Sequence, residues 1–240
     1  FDYDVVDKIY RPYDNLGLSV ILRETGKRDY KVLGCFGEAV RAQADDPQQW
    51  DRLKEIFASP SLQLVSFTIT EKGYALTNAA GKYFPFVQAD IDNGPDKVTG
   101  AMGVLTAMLL ERYRHGKTPL ALVSMDNCSQ NGSLLRRSVL TMTEEWQKKG
   151  YVDEGFAAYV ADEAVIAFPW TMIDKITPRP NPDIAADLEA LGVENMQPIE
   201  TSRRTYIAPF INGEDPQYLV IEDRFPNGRP ALEKGKGVYL

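Results

Sequence analysis

The sequence predicts an α/β fold, a mixed sheet with helices on both faces, and three stretches predict it. Residues 120–123 are a short apolar run that ends in Ser124-Met125-Asp126-Asn127, and Asn131-Gly132-Ser133 then opens a helical pattern through Leu134, Leu135, Val139 and Leu140. Residues 99–115 place Met102, Leu105, Leu109 and Tyr113 on one side of a helix that stops at Gly116. Residues 62–70 alternate Leu64, Ser66, Thr68 and Thr70 with Val65, Phe67 and Ile69, the period of a strand. A buried strand that releases polar side chains into a loop before a helix is how open α/β sheets build sites at strand carboxyl ends. Asp, Asn, Gly and Ser are also ordinary turn and cap residues, so the first stretch alone leaves both roles open.

The remaining elements follow in order. Val5, Val6, Ile9 and Tyr10 have helical spacing, and Pro12 ends that run. Strands at 18–23 and 30–34 flank Glu24-Thr25-Gly26-Lys27, a hairpin with a glycine in its loop. Asp46-Pro47 opens a helix with Trp50, Leu53, Ile56 and Phe57 on its apolar face, and Ser59-Pro60-Ser61 stops it. Residues 74–98, rich in Gly, Asn, Asp and Pro, read as a long irregular loop. The helix that opens at Asn131 runs through Trp146 to Lys149. Short apolar segments at 156–162 and 164–168 lead to Phe168-Pro169; a short amphipathic helix follows at 183–191, and strands at 206–211 and 218–221. Lys234-Gly235-Lys236-Gly237 reads as a flexible tail.

The totals limit the function classes. A chain of 240 residues suits one large domain, or one domain with part of a second. A hydrophobic share of 44% and a charged share of 25% are those of a globular protein. A net charge of −7 argues against a nucleic-acid surface. Apolar runs such as 102–110 are too short to span a bilayer, so no membrane partner is expected, and two cysteines far apart in sequence make a reducing cytoplasm the simpler expectation. Cys35 and Cys128 lack CxxC spacing, and His115, behind Arg112 and Arg114 at a helix end, reads as a dipole partner; no metal site is expected. Asp90/Asp92 and Glu222/Asp223 could suggest a two-carboxylate hydrolase, but solvated charges are the plainer account.

Four motifs change the weight of the first stretch. Ala167-Phe168-Pro169-Trp170-Thr171-Met172-Ile173-Asp174-Lys175-Ile176-Thr177-Pro178 resembles the signature of the long-chain mannitol dehydrogenase family, a Phe-Pro pair followed by Asp-Arg-Ile-Thr-Pro. Asp126-Asn127 with Asn131-Gly132 is similar to the family's Asp-Asn-x-x-x-Asn-Gly element. Thr70-Glu71-Lys72-Gly73-Tyr74 resembles its Thr-Glu-x-Gly-Tyr loop, and Phe225-Pro226-Asn227-Gly228-Arg229-Pro230 its Phe-Pro-x-Gly-Arg-Pro segment. Their order along the chain is the family's order, and the resemblance spans nearly all 240 residues.

The resemblance implies a Rossmann-like fold and an oxidoreductase that uses NAD or NADP to interconvert a sugar alcohol or sugar acid with its keto sugar. It implies that residues 1–240 are part of an N-terminal cofactor-binding domain. The catalytic positions it points to are Asn127, as an oxyanion donor, and Asp174, beside the nicotinamide and substrate; their plainer roles are a turn cap and a surface charge. Asp2, Thr70, Ser124 and Asp126 are expected on the cofactor side, with Thr70 equally an edge hydroxyl that satisfies local backbone. Lys175 stands where the family has Arg, which removes a bidentate fork, and it is the expected contact to a sugar acid, with Arg203 and Arg204 as other candidate cations. Tyr10-Arg11-Pro12-Tyr13-Asp14-Asn15 is closer to the bacterial branch of hexuronate reductases. The chain contains neither G-x-G-x-x-G nor Lys-x4-Asn-x2-His, so the pyrophosphate turn and the catalytic lysine of the family are not among these residues. The alternative is a non-catalytic binding module with residual sugar or nucleotide affinity. The oligomeric state stays open.

Overall fold

The computed structural model describes residues 2–175, 177–214 and 218–240. The chain divides into two compact units, one of residues 1–41 and 174–217, the other of 42–173 and 218–240.

In the first unit the expected hairpin forms from β1 (Gly17–Leu22) and β2 (Arg28–Leu33), antiparallel with Gly17 opposite Leu33. Gly26 takes φ +78°, a conformation that glycine adopts without penalty, and lets the turn close. β1 also pairs in parallel with β9 (Phe210–Glu214) and so lies at the centre of its sheet. Val20 on β1 is fully buried against Ile184, Ala185 and Leu188, which belong to α7 (Pro182–Ala190). The Asn181 side chain caps α7 by accepting from Asp183 N–H, with Pro182 at the first helical position. The strand expected at 206–211 is two pieces, β8 (Tyr206–Ile207) and β9, because Pro209 between them has no N–H for a ladder. β8 pairs instead with β7 (Ile199–Glu200), antiparallel. Residues 6–10 form one π-helical turn, not a regular helix.

The second unit holds the main core. β3 (Leu64–Phe67), β4 (Leu120–Ser124) and β5 (Ile166–Ala167) form a parallel sheet with β4 in the middle. Every residue of β4 is buried, which explains its continuous apolar run where a one-sided strand would alternate. α4 (Ala101–Arg114) packs against α1 (Pro47–Ala58) and α5 (Asn131–Lys148). Residues 102–110 of α4 are buried all round, so the single apolar side read from the sequence understates its burial. Met102, Leu105 and Leu109 lie in one core with Trp50, Phe57, Leu135, Trp146 and Phe156.

Three segments differ from expectation. The loop expected at 74–98 contains α3 (Pro85–Asn93), whose small apolar face of Val87 and Ile91 is hard to see among polar neighbours. Residues 154–161 form α6 (Glu154–Ala161), capped by the Asp153 carboxylate accepting from Phe156 N–H at 2.7 Å. The segment read as a tail, 234–237, leads directly into β11 (Val238–Tyr239), which pairs in parallel with β10 (Tyr218–Ile221). β10 lies between β11 and β6 (Thr171–Asp174). No helix among the described residues is long and apolar enough to cross a membrane. None of their His, Cys, Asp and Glu residues form a cluster that could hold a metal ion.

Candidate functional site

Burial of β4 on both faces fixes the position of its carboxyl end. The Met125 amide donates to Phe67 O at 2.8 Å, carrying the pairing with β3 one residue past the strand. Ser124 is fully buried, with its hydroxyl 2.7 Å from the Tyr74 phenol. The Asp126 carboxylate then gathers the preceding loop. Its Oδ2 accepts from Ile69 N–H at 2.9 Å and from Tyr74 O–H at 2.6 Å, and its Oδ1 accepts from Thr70 N–H at 3.0 Å. Burial, reinforced by the bond to Asp126, pushes the Tyr74 phenol far above its ordinary value, so it stays a donor at neutral pH.

Thr70 does not end a strand. β3 stops at Phe67, and Thr70 opens the single turn α2 (Thr70–Tyr74) with φ +63°. A β-branched residue at positive φ is an outlier held there by its surroundings. Gly73 is required in the same turn, since a Cβ there would lie 2.8 Å from the Ile69 side chain. The Thr70 side chain is exposed. A cavity of about 350 Å³ lies beside this turn and α5, with Glu71, Tyr74, Arg137 and Ser138 among its walls.

A second cluster joins β4 to the Phe-Pro segment. Asn131, at the start of α5, is buried, and its amide nitrogen donates to Asp126 O and Thr171 O at 3.1 Å and to Thr171 Oγ1 at 2.7 Å. Its Oδ1 accepts from Thr171 N–H at 3.1 Å, and the Thr171 hydroxyl donates to Ser124 O at 2.6 Å. At Gly132 a Cβ would lie 2.5 Å from Phe168 O and 2.7 Å from Trp170 Cδ1, so only glycine allows this approach. Three of the four motifs are therefore one hydrogen-bonded assembly. The fourth lies by the start of β3, where Asn227 Nδ2 donates to Pro60 O and Leu62 O.

Asn127 follows this assembly directly. Its side chain is exposed and has no hydrogen-bond partner among the described residues, in contrast to Ser124, Asp126 and Asn131. Asp2, Asp174 and Lys175 belong to the other unit. Asp2 accepts from the Thr201 and Thr205 hydroxyls at 2.7 and 2.6 Å, bonds that hold its carboxyl below the usual range. Asp174 and Lys175 are exposed, and a Cβ at Gly213 would lie 3.3 Å from Lys175 Cε. Arg203 and Arg204 are exposed too. His115 is the C-terminal cap residue of α4, its ring nitrogen 2.9 Å from Glu111 O. Tyr74, Asn131 and Thr171 lie within the motifs without standing out in them. The repeated pairing of a polar side chain with a glycine, Gly73-Tyr74 and Asn131-Gly132, is the signal that could have found two of them.

The acidic pairs have structural partners. Asp90 is buried and accepts from Thr99 and Gly100 amides at 2.8 Å, while Asp92 pairs with Lys149 and Asp223 with Arg229.

Comparison with known proteins identifies the family of the chain. The Mannitol dehydrogenase Rossmann domain matches residues 13–234. The chain is 50% identical over 241 residues to D-mannonate oxidoreductase of Thermotoga maritima, covering 100% of this chain and 44% of that protein. It is 32% identical to mannitol 2-dehydrogenase of Cereibacter sphaeroides, over 92% of this chain and 41% of that one. The ternary complex of Pseudomonas fluorescens mannitol 2-dehydrogenase with NAD and D-mannitol superposes with a TM-score of 0.77 at 26% identity, covering 98% of this chain and 43% of that chain. The chain thus spans less than half the length of these relatives. It belongs to the mannitol dehydrogenase family and carries that family's Rossmann domain.

Proposed function

We propose that this chain is the cofactor-side domain of an NAD(P)-dependent oxidoreductase that interconverts an aldonate or sugar alcohol, of the mannonate, altronate or mannitol type, with its keto sugar. The observation that carries this is the exposed amide of Asn127, without a hydrogen-bond partner among the described residues and directly after Ser124 and Asp126, whose side chains are held at the carboxyl end of a buried parallel strand. The 50% identity to a D-mannonate oxidoreductase favours the aldonate.

The residues present fit the nicotinamide side of a dinucleotide: an exposed hydroxyl at Thr70 and an exposed amide at Asn127 are held on adjacent loops by one carboxylate. Ser124 and Asp126 serve the cofactor by holding that loop. When bound, NAD or NADP supplies the hydride acceptor. Asn127 donates an N–H to the substrate oxygen as negative charge develops on it, which lowers the barrier most where the donor is fixed beforehand. Asp174 orients the reacting group, Lys175 attracts the carboxylate of a sugar acid, and Asp2, with its Oδ2 taken by Thr201 and Thr205, offers its Oδ1 to the cofactor ribose. The chain contains no Lys-x4-Asn-x2-His and no G-x-G-x-x-G, so none of these 240 residues is assigned as the proton acceptor or the pyrophosphate turn. The setting proposed is the cytoplasm.

The test is NAD+ and NADP+ reduction at 340 nm with D-mannonate, D-altronate and D-mannitol, on the protein as its cell makes it, after its intact mass is measured. Asn127→Ala is expected to lower turnover about 10²–10³-fold. Wild-type turnover in that variant would remove Asn127 from the mechanism. Saturable NADH binding without turnover on any of the three substrates would favour a binding module instead.

A further inference from the structure

We infer that Asp126 is a positioning residue: it holds Thr70 in the left-handed conformation and thereby fixes the spacing between the loops that carry Thr70 and Asn127, an inference that rests on the cofactor-side reading above.

Both Asp126 oxygens are already engaged within the protein, by the amides of Ile69 and Thr70 and by the Tyr74 phenol at 2.6–3.0 Å. A carboxylate with three donors has little capacity left for a ligand, so it acts through what it holds. What it holds is unusual. Thr70 is a β-branched residue at φ +63°, a conformation that L side chains resist and that persists only where surroundings impose it. The amides of Ile69 and Thr70 both end on Asp126, and no side chain of α2 itself caps the turn. The charge-assisted pair of N–H bonds is therefore the restraint on Thr70. Gly73 and Tyr74 complete it, one by letting Ile69 close over the turn, the other by tying the far end of the turn to the same carboxylate. Asp126 is also the residue before Asn127, and its own carbonyl accepts from Asn131 at 3.1 Å. One side chain thus sets the two loops against each other.

Thr70→Gly separates this role from a general contribution to stability, because glycine takes positive φ without restraint. Four proteins are compared: wild type, Asp126→Asn, Thr70→Gly and the double variant. The readouts are urea unfolding, hydrogen exchange at the amides of residues 69 and 70, and NADH fluorescence titration. Asp126→Asn is expected to lower the folding equilibrium constant at least fivefold more in the wild-type background than in the Thr70→Gly background, the size of one strained residue. It is expected to weaken NADH binding at least tenfold in the wild-type background and less than threefold in the Thr70→Gly background, and to speed exchange at both amides. Equal losses in the two backgrounds would overturn the inference, since a merely structural carboxylate acts alike in either. If Asp126→Asn does not fold, Thr70→Gly alone decides: the inference requires it to fold at least as stably as wild type, and a tenfold loss overturns it. A wild type that binds no NADH would sink the cofactor reading, while the folding cycle would still decide what Asp126 does.

Discussion

Asp90 shows how one side chain can matter without touching any ligand. It projects from α3 and receives the Thr99 and Gly100 amides ahead of α4, and a Cβ at Gly103 would lie 2.4 Å from its Oδ2. Its carbonyl also accepts from Trp146 Nε1 at 3.0 Å. Burial is the main reason its carboxyl is pushed above the ordinary value, against the lowering effect of the amide bonds. With the folded-state pKa raised, the native state binds the proton more tightly than the unfolded chain does. The stability due to this proton is present below about pH 4 and is lost as pH rises through the folded-state value. Asp90→Asn should therefore destabilise by about 1–3 kcal/mol through a lost acceptor. The gap from wild type should narrow between pH 3 and pH 7 in urea titrations, and a gap that widened would contradict the sign. In the sequence Asp90 was only one acid of a pair with Asp92. Its burial follows from α3, which composition disguised as loop.

At the scale of elements, the junction of α5 with the Phe-Pro segment depends on the absence of a side chain at Gly132. Gly132→Ala places a Cβ against two backbone oxygens, Phe168 O and Pro169 O, which cannot rotate away. We expect a loss of about 2–3 kcal/mol in urea unfolding from this overpacking. Gly37→Ala is the matched control, since a Cβ there meets nothing within 4 Å, and it should stay within about 0.5 kcal/mol of wild type. Equal effects of the two would show that the close approach is not what glycine serves at 132. The motif spacing gave this element its place: strand, polar loop and helix stand where periodicity put them, at Leu120–Ser124 and Asn131–Lys148. The pattern could not tell Asn127 from Asn131. Both are asparagines in one motif, yet Asn127 on the loop is exposed and free while Asn131 at the start of α5 is locked by Thr171, a residue 40 positions away.

At the scale of the larger unit, Arg112 replaces a web of smaller contacts. It is 1% exposed, and its guanidinium donates to the carbonyls of Phe57, Ser59, Leu62, Thr118 and Pro119. These carbonyls close the end of α1 and precede β3 and β4, so one planar fork sets where two strands of the parallel sheet begin. Arg112→Met would leave them without donors and should cost about 3–5 kcal/mol, and Arg112→Lys should recover only part, because an ammonium cannot fan out over five acceptors. Thermal and urea unfolding of the three proteins would check this, and a neutral Arg112→Met would mean that water satisfies the carbonyls. The sequence by itself determined the α/β class, the order of the motif-bearing elements and the family, because those reside in periodicity and in fixed local spacings. Only the tertiary structure decided which polar residues face outward and which are consumed internally, that Thr70 sits at positive φ, and that Asp126 and Asn131 are bound where Asn127 is free. Hydrogen-bond partners 40 to 57 residues apart meet only after the sheet and helices have packed, and no local pattern encodes that meeting.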